Sequence, residues 1–491
     1  MVFRQDPLAF RHGLYLFAGL VTFRVVLMLA TPLVVDETYA IAVAREFSLS
    51  FYDHPPLSFW APVAFANITG LEEAWAYRLP TLVFGSLAAA LLWRIGALIG
   101  GEKAGFWTLA TYAMSPAFVF AGVFVLPDGP LSLGSLFCGY WLIRIVQAKE
   151  APLSWWVLVG IGLAVALASK YQAALIPIGV VVFALSRAEA RHWFISPGPW
   201  LAAIIGLAGL VPLVVWNMGH GWASFAFHTA RADSGFNPVN LARMAIGQIL
   251  YLLPMVAIFA VLGLGRAFKR PLRADLVMLA ILALGPVLAF NFVFAFSDES
   301  FPHWTMPGWL FSLPLVGLAL AQAGRAKAWF VGLSLPFWVV IGVLIAHAGT
   351  GVLTRNVVGA LPEWDNTLEA FDYSEIRHSL ESAGLLDGVE LIAVRNWIEG
   401  GFMSTALGGE FPVRVIGDDP HHFQFLEQHK KGGKAMLLYP ALASDPPNPR
   451  VLASARAIDP NASEAAVLTL KRGIRDYVSV WVFSLTLPAE K

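Results

Sequence analysis

From residue 13 to residue 348 the chain repeats one pattern: an apolar stretch long enough to cross a bilayer, then a short polar break. About 20 predominantly apolar residues suffice for a membrane-spanning helix. Such stretches lie near 13–33, 80–99, 104–124, 129–146, 154–169, 171–186, 199–216, 246–265, 276–296, 306–322 and 328–348. They predict about eleven transmembrane helices. The first is too long for a signal-peptide core and no small-residue cleavage site follows it, so it reads as a retained span. From about residue 350 the pattern changes. Runs rich in β-branched and aromatic residues, 389-VELIAVR-395, 411-FPVRVIG-417, 434-KAMLLYP-440 and 478-VSVWVFSLT-486, predict strands. The segments 371–384, with a capping glycine at its end, and 397–409 predict helices. The expected organisation is therefore a mainly α polytopic membrane domain over 1–349 and a small soluble α/β domain over 350–491.

Composition agrees with this division. Charged residues make up 13% of the chain and hydrophobic ones 57%, whereas soluble globular proteins carry about 25% charged residues. The formal net charge is zero, so no basic footprint points to nucleic acid. A single cysteine, Cys138, excludes an internal disulfide. Lysine and arginine set the expected orientation, because cytoplasmic loops carry their excess. With the N-terminus cytoplasmic, thirteen fall inside, among them Arg266, Lys269, Arg270 and Arg273, against five in the opposite loops of the membrane half. An odd number of spans then places the C-terminal domain outside, in a bacterium the periplasm.

On that topology the ionisable residues gather at the outer face. The first outer loop holds Asp36, Glu37, Tyr39, Tyr52, Asp53 and His54. Asp128 sits between Pro127 and Gly129, and Lys170-Tyr171 lies between two apolar runs with almost no loop around it. Arg231 and His303 come from two later loops. For any single loop residue the simplest reading is solvation. Lys170 resists it, since an ammonium between apolar runs must snorkel or pair with an anion. Arg24, near the middle of the first span, reads as a structural partner for a neighbouring helix. His421-His422 beside Asp418-Asp419 lacks the spacing of a four-ligand metal site. Dinucleotide, P-loop and nucleophile-elbow motifs are absent from the sequence.

Carboxylates and a cation at a membrane face, without a nucleotide site, suit sugar transfer from a lipid phosphate. A carboxylate accepts the proton of the incoming hydroxyl, and a cation stabilises the charge that builds on the departing phosphate. A transporter or flippase predicts charges in mid-span on both sides of the centre. A non-catalytic envelope scaffold gives no reason for acids and a lysine to collect.

The phrases 36-DETYA-40, 52-YDHPPL-57, 78-RLPTLVFG-85, 127-PDGPL-131, 162-GLAVALASKY-171, 197-PGPWLAA-203, 212-PLVVWNMGHGWASF-225 and 302-PHWTMPGW-309 carry a family resemblance. Over about residues 13–310 the chain resembles the GT-C membrane glycosyltransferases that use polyprenyl-phosphate sugars. Within that class it is similar to the dolichyl-phosphate-mannose protein mannosyltransferases and the lipid A aminoarabinose transferases. The resemblance implies a GT-C fold with first-loop helices along the membrane surface, and an inverting transfer without a covalent sugar intermediate. It implies a polyprenyl-phosphate sugar donor and a cell-envelope acceptor at the outer face of the inner membrane. It assigns Asp36 as general base or acceptor-orienting carboxylate, Glu37 as its support and Asp128 as a second acid. It points to Lys170 and Tyr39 for the donor phosphate, with His54, Tyr52, Tyr171, Arg231 and His303 as further substrate contacts. Some relatives bind a divalent metal near the acids; no motif in this sequence decides that point. The phrase ETYAIAVAREF departs from the aromatic residues that often follow the acid pair, and the span number is lower than in the aminoarabinose transferases. Both departures leave donor sugar and acceptor open.

Overall fold

The computed structural model describes residues 6–230, 235–298, 300–353, 365–427, 431–443 and 449–489. They form two compact units. One gathers Met1–Met28, Leu49–Ala61 and Arg78–Trp338; the other gathers Leu29–Ser48, Pro62–Tyr77 and Val339–Lys491.

The helices in chain order are α1 (Pro7–Ala30), α2 (Val35–Ala44), α3 (Leu57–Thr69), α4 (Ala74–Gly100), α5 (Glu102–Met114), α6 (Pro116–Ala121) and α7 (Asp128–Gln147). Then come α8 (Leu153–Leu167), α9 (Leu175–Ser186), α10 (Pro197–Ala208), α11 (Val211–Gly219), α12 (Ala223–Ala230), α13 (Pro238–Leu252) and α14 (Pro254–Ala267). The membrane half closes with α15 (Ala274–Phe294), α16 (Met306–Gln322) and α17 (Ala326–Thr350). Among the described residues six helices are long and apolar enough to cross a membrane, or eight if each of two bent pairs is one span.

The differences from the predicted spans have local causes. Segment 104–124 divides into α5 and α6 at Ser115-Pro116, because proline supplies no N–H and pushes its predecessor out of the helical region. The pair α13 and α14 is bent by 101°. There Leu253, before Pro254, takes a left-handed backbone (φ 74°). The first span ends at Ala30, ahead of Thr31-Pro32, rather than at residue 33. Helix α3 is an apolar segment that the span pattern did not single out.

In the first unit, small residues let helix backbones touch, the means by which membrane helices pack without a hydrophobic driving force. A side chain at Gly134 of α7 would strike the Ala166 backbone nitrogen at 2.5 Å, and one at Gly162 of α8 the Cys138 nitrogen at 2.7 Å. Arg24 is fully buried. It donates to the carbonyls of Phe118 (2.7 Å) and Val119 (3.2 Å) and to the Tyr112 hydroxyl (3.0 Å), so it caps carbonyls of α6.

The second unit carries a five-stranded sheet: β1 (Leu391–Asn396), β2 (Val413–Asp419), β3 (Gly433–Leu442), β4 (Ser463–Arg472) and β5 (Arg475–Leu487), in the order β2-β1-β3-β5-β4. Strand β1 runs parallel to both β2 and β3, and the β3–β5 and β5–β4 pairs are antiparallel. Leu391, Ala393, Leu437, Phe483 and Leu485 build the core with Val451 and Ala455 of α20 (Pro449–Ile458). Two further helices are α18 (Ile376–Ser382) and α19 (Trp397–Ala406). The expected helix over 371–384 is thus shorter at its start, and Gly384 (φ 65°) follows its end as the capping pattern predicts. Strand β4 was not predicted; it is an edge strand and mostly exposed.

Candidate functional site

One costly group in the first unit is the buried Lys170 ammonium. Helix α8 ends at Leu167, and the Ser169 hydroxyl and the Lys170 N–H fold back onto the carbonyls of Val165 and Ala166. This tight exit leaves Lys170 in extended backbone (φ −158°), with its side chain only 5% exposed. Its Nζ donates to both oxygens of Asp128, at 2.9 and 3.1 Å. Asp128 opens α7, where the positive end of the helix dipole favours a carboxylate. Buried charges persist only when paired and hydrogen-bonded, and this pair meets that condition. An ammonium has three N–H donors. Two go to Asp128, and among the described residues the third has no acceptor. His303, on the turn Pro302–Thr305 ahead of α16, lies within electrostatic reach of Asp128.

The segment 51-FYDHPPL-57 is bound beside this turn. Leu57 N–H donates to the Ala168 carbonyl (2.9 Å), two residues before Lys170. Ser224 of α12 donates to the Phe51 carbonyl (3.1 Å), and His228 Nε2 meets the Asp53 carbonyl at 2.9 Å. The Phe51 N–H reaches back to the His54 carbonyl at 3.3 Å, closing the turn. Pro55 and Pro56 stop any helix there and are buried. The Tyr171 ring lies 4.7 Å from His228, and the Tyr52 ring lies 4.6 Å from Phe227. The Tyr171 hydroxyl, near Ser224 and Asp53, is buried with no hydrogen bond of ordinary geometry to a described residue. The same holds for Gln172 Oε1 and Ser135 Oγ. Buried polar atoms are nearly always hydrogen-bonded, so these groups keep hydrogen-bonding capacity that the described residues do not use.

Five chain segments therefore meet in the first unit, bringing Asp53, His54, Tyr52, Asp128, Lys170, Tyr171 and His303 into one neighbourhood. His228, Ser224 and Gln172 join them. The phrase 216-WNMGHGWASFAFH-228 marks the region of two of these in the sequence, although neither stands out alone. Arg231 lies outside the described residues.

The acid pair belongs to the second unit, at the start of α2. Asp36 is exposed. Glu37 is fully buried, and its Oε2 accepts the Val34 N–H at 3.0 Å, so it caps the helix start. Tyr39 is also buried, and its hydroxyl accepts the His422 N–H at 3.1 Å. These contacts give Glu37 and Tyr39 structural work within the second unit. Among the described residues no group of three or more His, Cys, Asp and Glu could hold a metal ion. Asp419 meets His421 at 3.2 Å without a third ligand, and Lys170 occupies both oxygens of Asp128. The described residues thus offer no cluster that fits a divalent metal.

Comparison with known proteins bears on this neighbourhood directly. The family model described as "dolichyl-phosphate-mannose-protein mannosyltransferase" matches residues 53–216, the stretch that begins at Asp53 and includes Asp128, Lys170 and Tyr171. A curated relative, the lipid A galacturonosyltransferase RgtD of Rhizobium johnstonii, is 26% identical over 217 residues. That match covers 43% of this chain and 44% of RgtD, less than half of either. The crystal structure of ArnT from Cupriavidus metallidurans bound to undecaprenyl phosphate has a similar fold, with a TM-score of 0.64 at 17% identity. The alignment covers 96% of this chain and 97% of that one. The arabinofuranosyltransferase AftD from mycobacteria is similar with a TM-score of 0.52 at 15% identity, over 98% of this chain and 40% of AftD. At these identities the two likenesses speak for the fold.

Proposed function

We propose that this chain is a GT-C membrane glycosyltransferase that moves a sugar from a polyprenyl-phosphate donor to a cell-envelope acceptor, with inversion at the sugar carbon; the family-model match, the RgtD relative and the ArnT-like fold support this reading. The observation that carries the reading is the buried Lys170 ammonium, held by Asp128 with one N–H donor left over. Next to Lys170 in the chain, the Tyr171 hydroxyl and Gln172 Oε1 are buried with no hydrogen bond of ordinary geometry to a described residue. The undecaprenyl phosphate bound in the ArnT structure supports a lipid phosphate as the ligand, and the RgtD relative supports an envelope lipid as the acceptor.

The roles follow from the chemistry of the displacement. The acceptor hydroxyl oxygen forms a bond to the anomeric carbon while the bond from that carbon to the donor phosphate oxygen breaks. The hydroxyl proton passes to a carboxylate, for which Asp36 is the proposed base; positioned bases contribute about 10²–10⁴-fold. Negative charge grows on the leaving phosphate, where Lys170 supplies a hydrogen bond and a positive charge. His54, Tyr171 and His303 are the proposed further contacts of the donor. Asp128 holds the ammonium in place. The excess of lysine and arginine in one set of loops supports a cytoplasmic N-terminus and transfer at the outer face of the inner membrane.

The test is Asp36→Asn in the full-length protein, with a polyprenyl-phosphate sugar and envelope lipid extract, product detected by mass spectrometry. Turnover should fall by at least about 10² while size-exclusion behaviour stays that of the wild type. Turnover near the wild-type rate would remove Asp36 as base.

A further inference from the structure

The acid pair stands on a helix that the C-terminal sheet domain grips. Asn396, at the carboxyl end of β1, caps α19 by accepting the Glu399 N–H at 3.0 Å. Helix α19 then lies against α2 with no side chain between them at Gly401. A Cβ there would fall 2.7 Å from the Tyr39 backbone nitrogen and 2.8 Å from Thr38 Oγ1. One turn of α2 is held by the Tyr39 side chain. Its ring meets Trp397 edge-on at 5.0 Å and lies 5.8 Å from His421 and 6.1 Å from Phe423. His421 takes a left-handed backbone (φ 46°), and the next N–H, that of His422, donates to the Tyr39 hydroxyl. Beyond the C-terminal end of α2, Arg45 donates to the Ser404 carbonyl at 3.1 Å, and Glu46 accepts the Glu427 N–H at 3.0 Å.

We infer that the C-terminal domain is a positioning element for the acid pair, acting through Gly401 and Tyr39. The inference rests on the reading of Asp36 as base. Asp36 precedes Tyr39 by three residues, less than one helical turn, so α2 carries the carboxylate wherever its contact with α19 sets it. Ordinary van der Waals contact begins near 3.4 Å, so a methyl group at position 401 displaces α2 by about 0.7 Å. A misplacement of about 1 Å costs on the order of 10²-fold in rate. The effect belongs to the chemical step, because Gly401 has no side chain to hold the donor and the buried Tyr39 hydroxyl is engaged by the His422 N–H.

The experiment uses the full chain as Gly401→Ala, Tyr39→Phe, Tyr39→Ala and Asp36→Asn. It measures kcat, the KM for the polyprenyl-phosphate sugar, and hydrogen exchange of the α2 amides. Gly401→Ala should lower kcat by about 30- to 100-fold, leave the donor KM within about twofold, and speed exchange in α2. Tyr39→Phe should keep most of the activity that Tyr39→Ala loses, because the ring still fills its aromatic surroundings. Wild-type kcat in both Gly401→Ala and Tyr39→Ala, with Asp36→Asn inactive, overturns this inference alone. A raised donor KM at unchanged kcat also overturns it, since that assigns the two residues to donor binding. An active Asp36→Asn overturns the base assignment and this inference together.

Discussion

Replacing Lys170 by methionine keeps the stem of the side chain and removes the charge. The consequence for Asp128 is severe, because its side chain is only 17% exposed and both oxygens lose their donor. At about 3 Å and an effective dielectric constant near 20, the lost attraction is about 5 kcal/mol. Desolvation of both ions offsets part of it, and breaking a buried pair from one side costs about 3–5 kcal/mol. Total stabilities are about 5–15 kcal/mol, so Lys170→Met alone should lower the unfolding temperature strongly. Removing both charges, as in Lys170→Met with Asp128→Leu, leaves no orphaned ion, and an apolar replacement of a whole pair is often neutral or stabilising. Thermal unfolding of the wild type, both single variants and the double variant therefore measures the coupling. Turnover of the same four proteins separates the two roles of the pair. If Lys170 serves the leaving phosphate, the double variant regains stability but stays about 10²–10³-fold below wild-type turnover, the usual loss of one preorganised donor. A double variant that regains both refutes the assignment and leaves the pair a purely structural one.

Two further expectations concern single groups. Tyr171→Phe removes a buried hydroxyl with no hydrogen bond of ordinary geometry to a described residue, so stability should hold or rise, while turnover falls by about 10²-fold or more if the hydroxyl meets the donor. Equal turnover in the variant ends that role. In the second unit, Asp365 accepts hydrogen bonds from Thr367 (2.6 and 2.8 Å), Tyr477 (2.5 Å) and Arg472 (2.8 Å). Burial pushes its carboxyl up, but the Thr367 and Tyr477 hydrogen bonds and the Arg472 charge outweigh it, and the group titrates below the ordinary 3.8. A lowered acid gives stability that is present above its unfolded value and lost as pH falls through the folded one. Asp365→Asn should thus be less stable than the wild type at neutral pH by about 1–3 kcal/mol, with the gap narrowing below about pH 4. Denaturant unfolding across pH 3–7 checks this; a gap that stays constant with pH refutes it.

Much of the membrane fold is legible because hydrophobic length and proline position are local properties. The runs at 80–99, 129–146, 276–296, 306–322 and 328–348 all lie within or over single helices. The breaks at Pro116 and Pro254 follow from the missing N–H. Strand β4 was hidden because an edge strand buries little, so its residues need no apolar alternation. The candidate site was legible in its members and not in its pairings. A lysine between apolar runs demands an anion, but nothing local says that the anion is Asp128, 42 residues earlier. In the same way DETYA gives no hint that Tyr39 is held by His422, 383 residues later. Such contacts are decided by helix packing, which depends on where small residues such as Gly134, Gly162 and Gly401 allow backbones to meet.

The choice of lysine at 170 also has a physical reason. An arginine facing a carboxylate matches it fork to fork and commits a rigid plane to that pair. An ammonium satisfies the same carboxylate with two donors and keeps a third, on a compact charge free to rotate. On the proposed role, a cation that is held buried while the donor is away and then shared with a phosphate needs that third N–H. The Asp128 pair bears the desolvation cost beforehand, so on that reading a phosphate would meet a charge already ordered and stripped of water. Tyr171 and Gln172 agree with that reading: each has a buried polar atom with no hydrogen bond of ordinary geometry to a described residue. The surrounding fold tolerates this at Tyr171 and Gln172 because they sit on a turn after the end of α8, where the backbone already departs from regular hydrogen bonding.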